Sequence, residues 1–219
     1  MRIRLRSVGY RDQSGAWPIR ELTATIVDPG LMVVRGEAHA TRVLFELILR
    51  LRRPHEGRIA LDGVNARKLR VADVRAHIGW LDRQRTIVQA CLDAGDPAQL
   101  ARAWDQTAPI APGASLDAAR DAFTGLGKRP AGARGLVGLR LALACVLMGE
   151  RPIVMLDDPT LGLAPADADR VAAWLADLAR DRLVVIACAD PRLLDLAQDI
   201  IDITPGRVGD DAPAEPGIA

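Results

Sequence analysis

Two segments of the chain carry side chains that could do chemistry. The first, RGEAHATRV at Arg35 to Val43, follows a short apolar run and precedes a helical pattern. A strand, a loop and a helix in that order can cradle phosphate. Glycines then aim backbone N–H groups at the phosphate, a lysine reaches its outer groups and a hydroxyl holds Mg²⁺. The second segment is the pair Asp157 and Asp158, which ends another apolar run. Two carboxylates placed there could also simply cap the following turn.

Apolar periodicity predicts the elements that would position these segments. Alternation at Ile3–Leu5 and Leu22–Ile26 indicates an N-terminal antiparallel layer, to which a strand at Gly57–Gly63 returns with an Asp-Gly turn. Continuous apolar strands then alternate with amphipathic helices, which is typical of a parallel sheet covered on both faces. The strands are Leu31–Val34, Ile153–Leu156, Leu183–Ala187 and Ile200–Ile203, and the helices lie near Leu44–Leu51, Leu139–Met148 and Val171–Leu178.

The predicted fold class is therefore α/β, with a parallel sheet flanked by helices and an antiparallel layer at the N-terminus. Between about Asp82 and Arg134 the periodicity weakens, and glycines and prolines separate short helical pieces. We predict one domain at 1–209 that contains a small helical subdomain at about 82–134. The polar, proline-containing segment 210–219 is expected to be a disordered tail.

Composition excludes several other classes of protein. The chain has 219 residues, 49% of them hydrophobic, and a net charge of +1 with both signs interspersed, so no nucleic-acid partner is expected. No apolar run reaches the length of about 20 residues that spans a bilayer, so no transmembrane segment is predicted. The three cysteines and three histidines lie far apart in sequence and suggest neither a disulfide framework nor a metal site.

Four segments together resemble the ATPase subunits of ATP-binding cassette (ABC) transporters. RPIVMLDDPTLGLAP looks like the family's Walker B strand and D-loop, and LRLALACVLMGERP is similar to the helix after its signature sequence. LVVIACADPRLLDLAQDIIDITPGRV is similar to the switch region, and LFELILRLRRPHEGRIALDGV to the helix and hairpin after the phosphate loop. Because the segments keep the family's order over Arg2 to Val208, the resemblance implies a fold like that of P-loop NTPases, closest to exporter-type cassettes.

The phosphate loop departs from the family pattern in either register. One register places Thr41 at the lysine and Arg42 at the hydroxyl, with Ala38 and Ala40 at glycines. The other begins at Gly36 and places Arg42 at the lysine, which leaves a valine as the magnesium ligand. Gly36, Thr41 and Arg42 therefore remain as vestigial nucleotide-binding positions, and neither register restores a complete site.

The other motifs of the family are also altered. The resemblance gives Asp157 the role of the Mg²⁺ ligand, and Asp158 the place of the glutamate that polarises water, although its side chain is one methylene shorter. The signature maps onto 133–137, where Arg134 and Gly135 are the expected nucleotide contacts, and Arg134 could bind phosphate held by a partner subunit. The remaining substitutions are Arg83 at the Q-loop glutamine, Ala189 at the switch histidine, Ala164 at the end of the D-loop and Asp12 at the base-stacking aromatic.

The apolar strands and helices of the resemblance are kept, whereas the glycine and polar positions that would serve ATP are substituted. This pattern predicts an ABC-type cassette subunit that is not an effective ATPase. Its expected partners are an active ATPase subunit, a separate transmembrane subunit, or both, and it would lie in the cytoplasm or at the inner face of the membrane. No cofactor is expected, and ATP with Mg²⁺ would bind only if part of the site is retained. Two alternatives stay open: a weak or atypical ATPase that energises transport, and a regulatory scaffold unrelated to transport.

Overall fold

The structure, a computed structural model, describes residues 2–27, 29–83, 87–124 and 135–203. Within these residues the chain forms two sheets, one antiparallel and one parallel, with helices on both faces of the parallel sheet. The α/β fold class predicted from the sequence is confirmed. Arg134 and the predicted tail at 210–219 lie outside the described residues.

The antiparallel sheet comes from the N-terminal third of the chain. Its strands are β1 (Arg2–Tyr10), β2 (Ile19–Val27), β4 (Glu56–Leu61) and β5 (Val64–Asn65), in the order β2-β1-β4-β5. Ile3 and Leu5 are fully buried because alternate residues of β1 face the core. The predicted Asp-Gly turn joins β4 to β5, and both Asp62 and Gly63 have positive φ, as a two-residue type I′ hairpin requires.

The parallel sheet brings distant segments to one edge. Its strands are β3 (Gly30–Gly36), β6 (Ile78–Leu81), β7 (Ile153–Asp157), β8 (Leu183–Ala187) and β9 (Asp199–Ile203), in the order β6-β7-β8-β3-β9. Every pair of neighbours is parallel, so the carboxyl ends of all these strands lie together. In sheets of this kind that edge is where ligands bind.

Helices cover the parallel sheet and supply two separate cores. They are α1 (Ala38–Ile48), α2 (Val71–His77), α3 (Ile87–Ala94), α4 (Pro97–Gln106), α5 (Leu116–Thr124), α6 (Leu136–Leu147), α7 (Pro165–Leu178) and α8 (Pro191–Leu196). Met32 and Val34 of β3 pack with α1 and the antiparallel sheet, whereas Leu31 and Val33 pack with the helices on the other face. Alternate residues of one strand thus enter different cores, which explains its continuous apolar sequence.

A buried arginine joins α6 to the helical segment before it. The side chain of Arg140 donates to the backbone oxygens of Trp104 (2.9 Å) and Ala111 (2.7 Å) and to the hydroxyl of Thr107 (3.3 Å). Its guanidinium carbon lies 3.7 Å from the centre of the Trp104 ring. Only 3% of Arg140 is exposed, and burial lowers its pKa. Carbonyl oxygens and an aromatic face therefore hold this charge at the junction.

Several short elements were not predicted. β6 has only four residues and α2 only seven, so neither shows enough periods for a sequence pattern to reveal it. The first predicted helix extended to Leu51, but α1 ends at Ile48. Arg50 has φ +58°, and the backbone N–H groups of Leu51 and Arg52 turn back to the carbonyl of Glu46. This left-handed turn satisfies the end of the helix and prevents its continuation.

Candidate functional site at the carboxyl edge of the parallel sheet

The connection between β3 and α1 contains a single residue. β3 ends at Gly36, Glu37 has extended backbone angles (φ −61°, ψ 144°), and α1 begins at Ala38. The N–H of Thr41 already donates to the carbonyl of Glu37, so helical hydrogen bonding starts at the first turn. A loop that wraps phosphate needs several consecutive residues between the strand and the helix. Most of the segment that would form such a loop is part of the strand or the helix here.

Gly36 lies against the last strand of the sheet. A Cβ atom built on it would come within 2.9 Å of the carbonyl oxygen of Ile203. Beside it, the side chain of Arg35 forms a two-pronged ion pair with Asp202, with Nε–Oδ1 at 2.5 Å and Nη2–Oδ2 at 2.9 Å. The close packing of β3 and β9 is therefore sufficient reason for glycine at this position.

Thr41 and Arg42 make contacts within their own helix. Thr41 is 2% exposed, and its hydroxyl donates to the carbonyl of Ala38 at 3.2 Å. Nε of Arg42 donates to Oε1 of Glu46 at 3.1 Å, and Arg52 donates to the other oxygen of the same carboxylate. Burial alone would raise the pKa of Glu46, but the bonds from Arg52 and Arg42 outweigh it and lower that pKa. The arginine in the phosphate-loop segment is thus tied to a carboxylate of its own chain.

The β1–β2 loop reaches the start of α1. Oδ2 of Asp12, the residue at the expected base-stacking position, lies 3.6 Å from Nε2 of His39. A hydrogen bond from Ser14 is the main cause that lowers the pKa of Asp12, and the N–H of Ala16 also donates to this carboxylate. The first turn of α1 therefore faces a negative side chain.

Asp157 and Asp158 lie at the end of β7, as predicted, and both contact the positively charged side chain of Arg83. Nε of Arg83 lies 3.0 Å from Oδ1 of Asp157, and Nη2 of the same side chain lies 3.1 Å from Oδ2 of Asp158. The Asp157 side chain is 5% exposed, that of Asp158 17% and that of Arg83 39%. One guanidinium therefore bridges both carboxylates at the mouth of the sheet edge.

Burial dominates the electrostatics of the two aspartates. It raises the pKa of Asp157, while the charges of Arg83 and Arg42 act in the opposite direction. The pKa of Asp158 is raised for the same reason, and its negative neighbours Asp157 and Asp190 add to the shift. Ionising both carboxylates is thus unfavourable unless a positive charge lies close by.

The segment after β8 contributes a third carboxylate that the sequence did not mark. Asp190 caps α8 by accepting from the N–H of Arg192 at 3.0 Å. Burial would raise its pKa, but hydrogen bonds from Thr160 and Arg192 lower it overall. The preceding residue, Ala189, has only an exposed methyl group at the expected switch position. An aspartate followed by proline is a helix-start signal that could have identified this cap.

Two further candidate residues belong to the signature segment. Gly135 is the residue before α6, with ordinary extended angles (φ −80°, ψ −171°), so this conformation does not require glycine. Arg134 lies outside the described residues. Among the side chains that the structure describes, no group of three histidine, cysteine or acidic residues is arranged to hold a metal ion. In the same part of the chain, no helix is long and apolar enough to cross a membrane.

Comparison with known proteins finds sequence relatives among transport proteins, although no protein-family model matches the chain. A macrolide export ATP-binding/permease protein, MacB, of Paracoccus denitrificans is 28% identical over an alignment that covers 98% of this chain and 35% of the relative. An ATP-dependent lipid A-core flippase of Pseudomonas aeruginosa is 24% identical over 94% of this chain and 36% of the relative. The chain thus spans about a third of the length of these curated relatives.

Solved structures share the fold over more than nine-tenths of the chain. A dimeric bacterial ABC transporter cassette superposes with a TM-score of 0.73 at 16% identity, covering 92% of this chain and 94% of that one. A bacterial Atm1-family ABC exporter with ATP bound gives a TM-score of 0.71 at 16% identity and covers 93% of this chain and 37% of the exporter. The chain is therefore similar in sequence to ATP-binding proteins of ABC exporters, and it has the fold of an ABC cassette.

Proposed function

We propose that this chain is the cassette subunit of a transporter and that it does not hydrolyse ATP itself. It works beside an active ATPase subunit or a membrane subunit, to which it contributes a folded surface. The observation that carries this proposal is the single-residue connection between Gly36 and Ala38. A triphosphate needs a wider loop with a lysine, and this segment has neither.

The residues around this connection also argue against ATP. Glu37 carries a negative charge where α1 begins, and the carboxylate of Asp12 lies beside His39 in the first turn. Both oppose an anion at a helix N-terminus, where positive partial charge would otherwise attract it. The hydroxyl of Thr41 is buried against Ala38, so it cannot reach a metal. Neither ATP nor Mg²⁺ fits these side chains as they stand.

The names of the relatives support a role in transport. One is described as an export ATP-binding/permease protein and another as a flippase. We therefore place the chain at the inner face of a membrane, held there by a permease that is either a separate subunit or another part of the same protein. The domain limits predicted from the sequence, 1–209 with a helical subdomain at about 82–134, form part of this proposal.

Nucleotide binding and turnover by the purified chain test the proposal. We expect no saturable binding of a fluorescent ATP analogue at the millimolar concentrations that ATP reaches in cells. Phosphate release by the chain should equal that of Asp157→Asn, a variant that removes the carboxylate but keeps its shape. A known active cassette, measured in parallel, shows that the assay detects turnover.

Turnover that disappears in Asp157→Asn would instead establish the weak ATPase. That alternative has one structural argument in its favour, since the charge of Arg42 is close enough to Asp157 to act on its pKa. A scaffold unrelated to transport is distinguished by isolation from membranes. Co-purification with a permease supports the cassette subunit, and purification without any membrane protein supports the scaffold.

A further inference from the structure

Arg83 reaches Asp157 and Asp158, the acidic edge of the parallel sheet, because of the register of β6 against β7. Leu81 pairs with Leu156, so β6 and β7 end within one residue of each other. Arg83 follows β6 by two residues, and Asp157 and Asp158 occupy the corresponding positions after Leu156. The guanidinium divides its two donors between the two carboxylates, at 3.0 and 3.1 Å. The contact is thus built by the alignment of two core strands.

The acidic edge needs a cation for electrostatic reasons. Asp157 and Asp158 are adjacent and largely buried, and Asp82 and Asp190 add negative potential from the neighbouring segments. On the positive side, Arg192 is engaged with Asp169 and Asp190. A desolvated pair of carboxylates without a partner would be strongly destabilising.

A divalent cation and the guanidinium would compete for the same oxygens. A metal such as Mg²⁺ or Mn²⁺ binds carboxylate oxygens at about 2.0–2.2 Å and brings its own waters. Arg83 already donates to Oδ1 of Asp157 and to Oδ2 of Asp158, and its positive charge repels a metal from that space. Arg83 and a divalent cation therefore cannot occupy these oxygens at the same time.

We propose that Arg83 is an internal counter-ion that occupies the place of a divalent cation at Asp157 and Asp158, so that its removal exposes a cation site. The inference concerns this sheet edge alone and does not depend on whether the chain binds nucleotide. The negative charge of the two carboxylates is then balanced without a metal, by a side chain that is part of the protein itself.

The test is to titrate Mn²⁺ alone, without nucleotide, into the intact chain and its variants. Arg83→Gln should bind a single Mn²⁺ with a dissociation constant of about 0.1–1 mM, as weak oxygen sites do. Its Tm should rise by about 2–5 °C in about 10 mM Mn²⁺. The unchanged chain should show neither effect. Binding is followed by calorimetry and by the loss of the free Mn²⁺ signal in electron paramagnetic resonance.

Two variants separate this role from a merely structural one. Arg83→Lys keeps the positive charge and should remain insensitive to Mn²⁺. The double variant Arg83→Gln with Asp157→Asn removes the carboxylate and should lose the gained binding. If Arg83→Gln is unfolded on its own, the proposal requires that Mn²⁺ restores its folding.

The proposal is overturned by Mn²⁺ binding to the unchanged chain that Asp157→Asn abolishes. It is equally overturned if Arg83→Gln responds to Mn²⁺ no more than the unchanged chain does, or stays unfolded with Mn²⁺ present. ATP turnover by the unchanged chain, by contrast, would contradict the proposed function, and the nucleotide-free Mn²⁺ titration would still decide the role of Arg83.

Discussion

Two regions of the molecule hold an arginine in place by different means. At the junction of α6 with the preceding helical segment, Arg140 is 3% exposed and bonds to two backbone carbonyls and a hydroxyl. At the carboxyl edge of the parallel sheet, the Arg83 side chain is 39% exposed and bridges two carboxylates. One charge is satisfied by neutral dipoles within the core, and the other by opposite charge near the surface.

The contrast lies in how closely each arginine is surrounded by protein, and therefore in how much stability its removal should cost. Around Arg140, packing and hydrogen bonding depend on each other, because removing the side chain takes donors from two buried carbonyls and leaves space beside the Trp104 ring. Around Arg83, water reaches the guanidinium, whereas its two carboxylate partners are largely buried. The effect of removing an ionic contact should therefore fall steadily as the exposure of its members rises, and the following variants rank this effect.

Arg140→Ala is expected to have the largest effect. It opens a cavity beside Trp104 and removes the guanidinium donors from the buried Trp104 and Ala111 carbonyls, which should lower the free energy of unfolding by about 3–4 kcal/mol. For a chain of this size the Tm should fall by about 10 °C. Urea unfolding followed by tryptophan fluorescence and by circular dichroism measures the change.

A matched control for this variant is Arg180→Ala. Arg180 pairs with Asp177 three residues before it, and its side chain is 79% exposed. Its loss should leave the unfolding curve unchanged. Equal destabilisation by the two substitutions would contradict the contrast between buried and exposed arginines.

Glu46→Gln is expected to have an intermediate effect that depends on pH. The carboxylate is largely buried, but its partners Arg42 and Arg52 are about half exposed, so the loss at neutral pH should be about 1 kcal/mol. The pKa of Glu46 in the folded chain lies below its ordinary value of 4.5. Its contribution is therefore fully present above that value and disappears as the pH falls through the lowered pKa.

The measurement compares the unfolding free energies of the unchanged chain and of Glu46→Gln between about pH 7 and pH 3, a range that spans the ordinary and lowered pKa. The two curves should be separated at neutral pH and converge on acidification. A separation that is constant over the whole range would mean that the shape of Glu46, and not its charge, stabilises α1.

Arg35→Ala is expected to have the smallest effect. Arg35 and Asp202 form a close two-pronged pair between β3 and β9, but both side chains are about half exposed. Solvent screens such a pair, so no resolvable change in Tm is expected at physiological salt. Gly36→Ala, at the next position, provides the contrast because its Cβ would meet the Ile203 carbonyl at 2.9 Å. A larger loss from Arg35→Ala than from Gly36→Ala would reverse the proposed ranking.

Sequence patterns predicted the core more completely than the site. The runs at Leu31–Val34 and Ile153–Leu156 indicated buried parallel strands, because burial on both faces requires apolar residues at every position. The register of β6 against β7, which brings Arg83 to Asp157, depends on contacts between segments 74 residues apart. No local pattern records such a contact, and the sequence alone marks Arg83 only as a departure from the ABC cassette pattern. Asp157 and Asp158 were found because they directly follow a strand whose pattern is clear.

The backbone at Asp158 limits how this position can change over evolutionary time. Its φ is +53°, a left-handed conformation that aspartate, asparagine and glycine adopt most readily and that branched side chains resist. The backbone therefore favours aspartate at this position whether or not the side chain serves chemistry. The conformation of the turn alone can account for aspartate at position 158. Its presence in related sequences would therefore not by itself indicate an enzyme.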